Sequence, residues 1–138
     1  MTRPWEQLIF LDTSAIYALA DAADPNHERA KELFGKALEM GAEFLVHNYI
    51  LVESAALLQS RLGLGPAIRF LKESENFRIY WVTAQDHRRA VRLLEERSKR
   101  GLSFVDCLSF LVMREHKVRK ALAFDPDFVQ EGFELFQG

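Results

Sequence analysis

Two rhythms of hydrophobic and polar positions run along this chain. Short apolar stretches rich in aromatic and β-branched side chains stand at Leu8–Leu11, Phe44–Val46, Ile79–Val82 and Ala121–Phe124, with a weaker one at Phe133–Phe136. Runs of that length suit buried strands. Between them the apolar positions recur at helical spacing. Asp24-Pro25 reads as an N-cap followed by proline at the first helical position, opening a helix through Ala30, Leu33, Phe34, Ala37 and Leu38. Asn48–Leu62 is nearly apolar all round, which predicts a deeply packed helix. Gly63–Gly65 breaks that pattern, and Pro66 begins a short helix toward Glu75. Thr83-x-x-Asp86 opens another helix in the manner of a capping box, and Ser103–His116 forms a further one. Strands separated by helices imply right-handed parallel crossovers. The predicted fold class is α/β, a three-layer α/β/α sandwich with a mainly parallel sheet of four to five strands, built as a single domain over residues 1–138.

Composition narrows the class. Hydrophobic residues make up 49% of 138 and aromatics 12%, enough for one substantial core. A disordered tail, a collagen-like repeat and a disulfide-stapled miniprotein are excluded. The lone Cys107 cannot form an internal disulfide and reads as a small core residue, which fits a reducing cytoplasm. No segment approaches the roughly 18 apolar residues of a membrane helix. The opening Met1-Thr-Arg-Pro-Trp-Glu-Gln lacks an apolar signal region. A cytoplasmic protein with no membrane partner is expected. The four histidines lie far apart and read as surface or helix-end residues. Tyr80 and Trp81 read as core of the third strand, and Trp5 as a cover for the first.

The net charge of −2 argues at first against a nucleic-acid partner. Its distribution does not. Between Arg88 and Lys120 stand 10 basic residues against 4 acidic ones, a local excess able to meet phosphates. The blander alternative is a solvated helix face with pairs such as Glu95/Glu96 to Lys99/Arg100.

In a parallel α/β fold, ligands gather at the carboxyl ends of the strands. Four acids stand where that matters. Asp12 follows the first strand, Glu53 sits among apolar residues of the 48–62 helix, Asp106 starts the 103–116 helix, and Asp125 follows the fourth strand. Each has a structural alternative: Asp12 and Asp125 suit helix caps, Ser103-x-x-Asp106 suits a capping box, and Glu53 can reach solvent. Glu53 carries most information, because no cation within a turn of it offsets burial. Two carboxylates 5 Å apart repel by roughly 3 kcal/mol at an effective dielectric of 20. A cluster must therefore hold a metal, protonate or destabilise the domain. All-oxygen ligands favour Mg²⁺ or Mn²⁺ over zinc.

The sequence around these acids resembles the PIN domain, a fold of small metal-dependent ribonucleases that includes VapC-type toxins. Leu11-Asp12-Thr13-Ser14-Ala15, Val52-Glu53-Ser54-Ala55, Leu102-Ser103-Phe104-Val105-Asp106 and Phe124-Asp125-Pro126-Asp127-Phe128 carry the likeness, and Gly132-Phe133 follows as in such domains. The resemblance implies that Asp12, Glu53, Asp106 and Asp125 are the catalytic, metal-holding acids. Asp127 is the other candidate for the fourth acid. Thr13 or Ser14 corresponds to hydroxyls that hold the first acid or a metal-bound water. It further implies endonucleolytic hydrolysis of RNA phosphodiesters with Mg²⁺ or Mn²⁺, leaving 5′-phosphate and 3′-hydroxyl ends, by the toxin of a toxin–antitoxin pair. A protein antitoxin and a homodimer are the expected partners. Ala123 departs from the Thr or Ser of many relatives. A non-cutting RNA- or protein-binding module and a housekeeping RNA-processing nuclease are the alternatives. A haloacid-dehalogenase phosphatase needs an Asp where Ser14 stands, a receiver domain needs an acceptor where Val82-Thr83 stands, and no Walker-type glycine loop is present.

Overall fold

The computed structural model describes residues 7–98 and 101–138. Trp5 and the proposed partners Lys99 and Arg100 lie outside them. Five strands, β1 (Leu8–Leu11), β2 (Glu43–His47), β3 (Arg78–Tyr80), β4 (Lys120–Leu122) and β5 (Glu134–Leu135), form one sheet in the order β3-β2-β1-β4-β5. Every neighbouring pair is parallel. Helices cover both sides of the sheet, as the sandwich reading predicts. They are α1 (Thr13–Ala20), α2 (His27–Glu39), α3 (Asn48–Leu62), α4 (Leu64–Glu73), α5 (Ala84–Arg97), α6 (Phe104–Glu115) and α7 (Asp127–Gln130). Two groups of helices pack together, α1 with α2 and α3 and then α3 with α4 in one, α5 with α6 in the other.

The central strands are apolar on both faces because both faces are covered. Phe10, Leu11, Leu45, Val46, Ala121 and Leu122 are all buried. Phe110 meets Phe128 edge-on at 5.2 Å, and Phe34 stacks on Phe44 at 4.6 Å. Cys107 is buried in the same core, and burial pushes its thiol up to about 11.

Several elements differ from the sequence expectation. Helix α2 begins at His27, because the Asp24 side chain accepts from the Asn26 N–H (2.8 Å) and closes a turn instead of capping at Pro25. Helix α4 begins two residues before Pro66, directly after Gly63, whose φ of 103° redirects the chain. Pro66 falls in the first turn, where its missing N–H leaves nothing unsatisfied. Helix α3 is not buried all round: Ile50, Leu51, Ser54 and Leu58 face the core while Val52 is 69% exposed. Strand β3 ends at Tyr80, and Trp81 lies beyond it at 66% exposure, not in the core. His47 is one of the expected helix ends, the N-cap of α3, but it is completely buried and not at the surface.

The basic stretch also divides. Arg97 and Arg114 both clasp Glu131, at 2.6 and 2.9 Å, and hold its carboxyl down at about 2. Lys117, Arg119 and Lys120 line a cleft with Gln7 and Glu134 at the amino ends of the strands. Arg88, Arg89 and Arg92 remain exposed on α5. Among the described residues no helix is long and apolar enough to cross a membrane.

Candidate active site

Strand order reverses at β1, which has β2 on one side and β4 on the other. The crevice at the carboxyl ends of such strands is where open α/β sheets bind ligands. Asp12 leaves β1 at this point, and its backbone N–H donates to the Leu122 carbonyl at the end of β4 (3.2 Å). Its side chain caps α1: Oδ2 accepts from the Ser14 N–H at 3.1 Å and from the Ser14 hydroxyl at 2.6 Å. The Ser14 hydroxyl in turn accepts from the Phe124 N–H at 3.0 Å. One serine thus fixes Asp12 and also fixes the backbone just ahead of Asp125.

Asp106 has two roles at once. It completes the capping box with Ser103, accepting from the Ser103 N–H at 3.1 Å while its own N–H donates to the Ser103 hydroxyl at 3.0 Å. It also belongs to a carboxylate group. One oxygen each of Asp106, Asp125 and Asp127 lies within 4.8 Å of the others. Thr83 and Asp86 form the same box on α5, but Asp86 takes its remaining hydrogen bond from the Tyr80 hydroxyl and joins no carboxylate cluster among the described residues. The capping signal therefore marks a helix start in both places and a cluster in only one.

Asp125 and Asp127 are tied together, because the Asp127 N–H donates to Asp125 Oδ1 (2.9 Å) and starts α7. The turn that could have been only a helix opener brings both acids to the site. Glu53 is half-buried on α3, with its exposed neighbour Val52 beside it, and its charge acts on Asp106. The expected deep burial of Glu53 does not occur.

Electrostatics records the convergence. Burial, above all, pushes the Asp12 carboxyl up to about 6; repulsion from Asp106 and Asp125 adds to this, and the two Ser14 hydrogen bonds oppose it. Asp106 is raised for the same reasons, chiefly burial, then the charges of Asp125 and Glu53, against its Ser103 hydrogen bonds. Asp106 on α6, Asp125 after β4 and Asp127 on α7 form the carboxylate group. Asp12 and Glu53 join it through their charges and not within ligating distance, and among the described residues the charges named as acting on Asp12 and Asp106 are carboxylates. A cation of hard, oxygen-seeking character fits such a set. Among the described residues no histidine belongs to the carboxylate group, and both ring nitrogens of His47 are already hydrogen-bonded.

Sequence reasoning missed two supports. His47 caps α3 by accepting from the Ile50 N–H through Nδ1 (3.2 Å), which leaves Nε2 to donate to the Ser109 hydroxyl (2.9 Å). Ser109 then donates to the Val105 carbonyl (3.0 Å), next to Asp106. Ser54, beside Glu53, donates to the Thr13 hydroxyl (3.1 Å). Thr13 therefore ties α1 to α3, while Ser14 alone holds the first acid.

Comparison with known proteins identifies the family. Residues 9–133 match the PIN domain family. The 23S rRNA-specific endonuclease VapC20 from two Mycobacterium tuberculosis strains is 36% identical over 128 residues, covering 91% of this chain and 95% of the relative. The crystal structure of M. tuberculosis VapC20, a sarcin-ricin loop cleaving toxin, superposes with a TM-score of 0.80 at 35% identity, again over 91% of this chain and 95% of the other. Family match, chain-long identity and shared fold coincide on the same residues, and the chain belongs to the PIN domain family.

Proposed function

We propose that this protein is a divalent-metal-dependent endoribonuclease, the toxin of a toxin–antitoxin pair, acting on ribosomal RNA. The observation that carries the reading is the group of Asp106, Asp125 and Asp127, with Asp12 and Glu53 near enough for their charges and those of the group to act on one another, in a chain 36% identical to an rRNA endonuclease. Asp12, Glu53, Asp106 and Asp125 are the catalytic set, and Asp127 shares the fourth position with Asp125. These five carboxylates would hold Mg²⁺ or Mn²⁺, which supplies activation of water and neutralisation of charge on the phosphate. Ser14 keeps Asp12 and the Phe124–Asp125 segment in fixed relation. Ser103 turns one oxygen of Asp106 toward α6 and leaves the other for the cleft. The reaction is hydrolysis: the oxygen of water joins phosphorus, the bond to the 3′ oxygen breaks, and that oxygen takes a proton, giving 5′-phosphate and 3′-hydroxyl ends.

We read residues 1–138 as one domain of a cytoplasmic protein. Its partners are RNA, a protein antitoxin that blocks the acidic cleft, and a second copy of itself. Incubation of the purified protein with 23S rRNA in Mg²⁺, Mn²⁺ or EDTA tests the reading, with the cut ends mapped. Cleavage is expected with either metal and not with EDTA, and Asp12→Asn should lower it by more than about 100-fold, beyond the 10–100-fold cost of losing a mere supporting hydrogen bond. Cleavage unaffected by EDTA, or retained in Asp12→Asn, would sink the proposal.

A further inference from the structure

Beside the acids stands a group of rings that the reaction chemistry does not use. Tyr49 on α3, His87 on α5 and Phe104 on α6 pack on one another, with centroids at 5.9 Å for Tyr49–His87, 4.9 Å for His87–Phe104 and 6.0 Å for Tyr49–Phe104. The Tyr49 hydroxyl is hydrogen-bonded to His87 Nδ1 at 2.7 Å. All three remain accessible, Tyr49 and Phe104 half-buried and His87 exposed. Their position relative to the site is set by the helices. Tyr49 lies one turn before Glu53 on the same face of α3, about 6 Å between Cβ atoms, and Phe104 lies in the same first turn of α6 as Asp106.

We propose that Tyr49, His87 and Phe104 form a stacking subsite for an unpaired nucleobase next to the scissile phosphate. This rests on the endoribonuclease reading. Three arguments support it. Edge-to-face packing and the Tyr49–His87 hydrogen bond fix the rings in advance, so little side-chain entropy is lost when a base lands on them. A base inside a duplex already stacks on its neighbours, so only an unpaired one can use such a surface. The helix that carries His87 also presents cations to solvent: Arg88 and Arg92, one turn apart on α5, are exposed and form no ion pair among the described residues, so phosphates further along a bound strand have charge to meet. The subsite selects single-stranded RNA without reading base identity, since every base offers a π face.

Binding in EDTA separates this subsite from catalysis. The probes are fluorescein-labelled octa-adenylate and a ribose-phosphate octamer of equal charge lacking all bases, followed by fluorescence polarisation. The wild type should prefer octa-adenylate, and His87→Ala with Phe104→Ala should reduce that preference about 5- to 150-fold, the usual worth of one stacked base. Tyr49→Phe and His87→Phe keep a ring and should retain the preference. The exposed single variant His87→Ala serves if the double variant fails to fold. A preference unchanged in the alanine variants, or no preference in the wild type, overturns the subsite, and a loss of antitoxin binding instead would assign the rings to a protein. Cleavage of RNA that persists alongside such a result leaves the nuclease reading standing. Ring-dependent preference without metal-dependent cleavage supports the subsite and sinks only the nuclease reading.

Discussion

Asp12 is the residue on which burial, hydrogen bonding and repulsion act together. Only 5% of it is exposed, and its carboxyl is held at about 6 against an ordinary 3.8. The sign follows from linkage. A carboxyl raised in the folded state favours folding fully below the unfolded value near 3.8, and that contribution is lost as pH rises through 6. In EDTA, Asp12→Asn should therefore be more stable than the wild type above pH 7, by up to about 3 kcal/mol. The gain should shrink between pH 6 and 4 and vanish below. Paired urea titrations across that range measure the difference, in which ionisations common to both proteins cancel. Millimolar Mg²⁺ should raise the wild-type melting temperature and do so less in the variant. A variant no more stable at pH 8 would show that the Asp12 charge is not under strain.

At the scale of elements, the site depends on how α3 and α6 are fixed to the sheet. His47 ends β2, caps α3 and reaches Ser109 on α6, so one buried imidazole spans three elements. Burial lowers its pKa to about 3, keeping the ring neutral. Here the linkage has the opposite sign. The contribution is complete above pH 6.5 and is lost as pH falls toward 3, reaching about 5 kcal/mol. His47→Asn keeps an acceptor for the α3 cap but cannot reach Ser109 in the same way. It should cost about 1–3 kcal/mol at pH 7.5 and flatten the acid loss of stability between pH 6.5 and 4, measured by denaturant midpoints. An unchanged acid slope would show that His47 is not the buried titrating group.

Among the described residues, α4 leaves an apolar stripe uncovered. Leu64, Ile68 and Leu71 recur at i, i+4 and i+7 on α4, at 59%, 42% and 45% exposure. Exposed apolar positions gathered on one helix face mark an association surface more than scattered single ones do. We assign the self-association proposed above to this face. Ile68→Glu should convert a dimer to a monomer in light scattering without changing the melting temperature of the monomer. A wild type that is monomeric at tens of micromolar would remove the dimer from the account. None of the five acids is on α4, so metal binding should survive in the variant.

Much of this is legible in the sequence. Apolar runs gave the five strands, and capping residues marked α5 and α6, because backbone hydrogen bonding and burial act over a few residues. The boundaries slipped where a side chain chose a different local partner, as Asp24 did with Asn26. The acids could be named from their places after strands and in helices. Their meeting could not be read locally, since Ser103/Asp106 and Thr83/Asp86 are indistinguishable as capping boxes. Only the placement of α6, tied to His47 at the end of β2 and to Phe128 on α7, makes one of them part of a cluster. The burial of His47, the exposure of Trp81 and the gathering of Tyr49, His87 and Phe104 were likewise decided by tertiary structure. Sequence determines what a residue can do with neighbours a turn or a strand away. Which distant side chains share a site depends on how whole elements pack, and here that packing set Asp106 beside Asp125 and Asp127, within reach of the charges of Asp12 and Glu53.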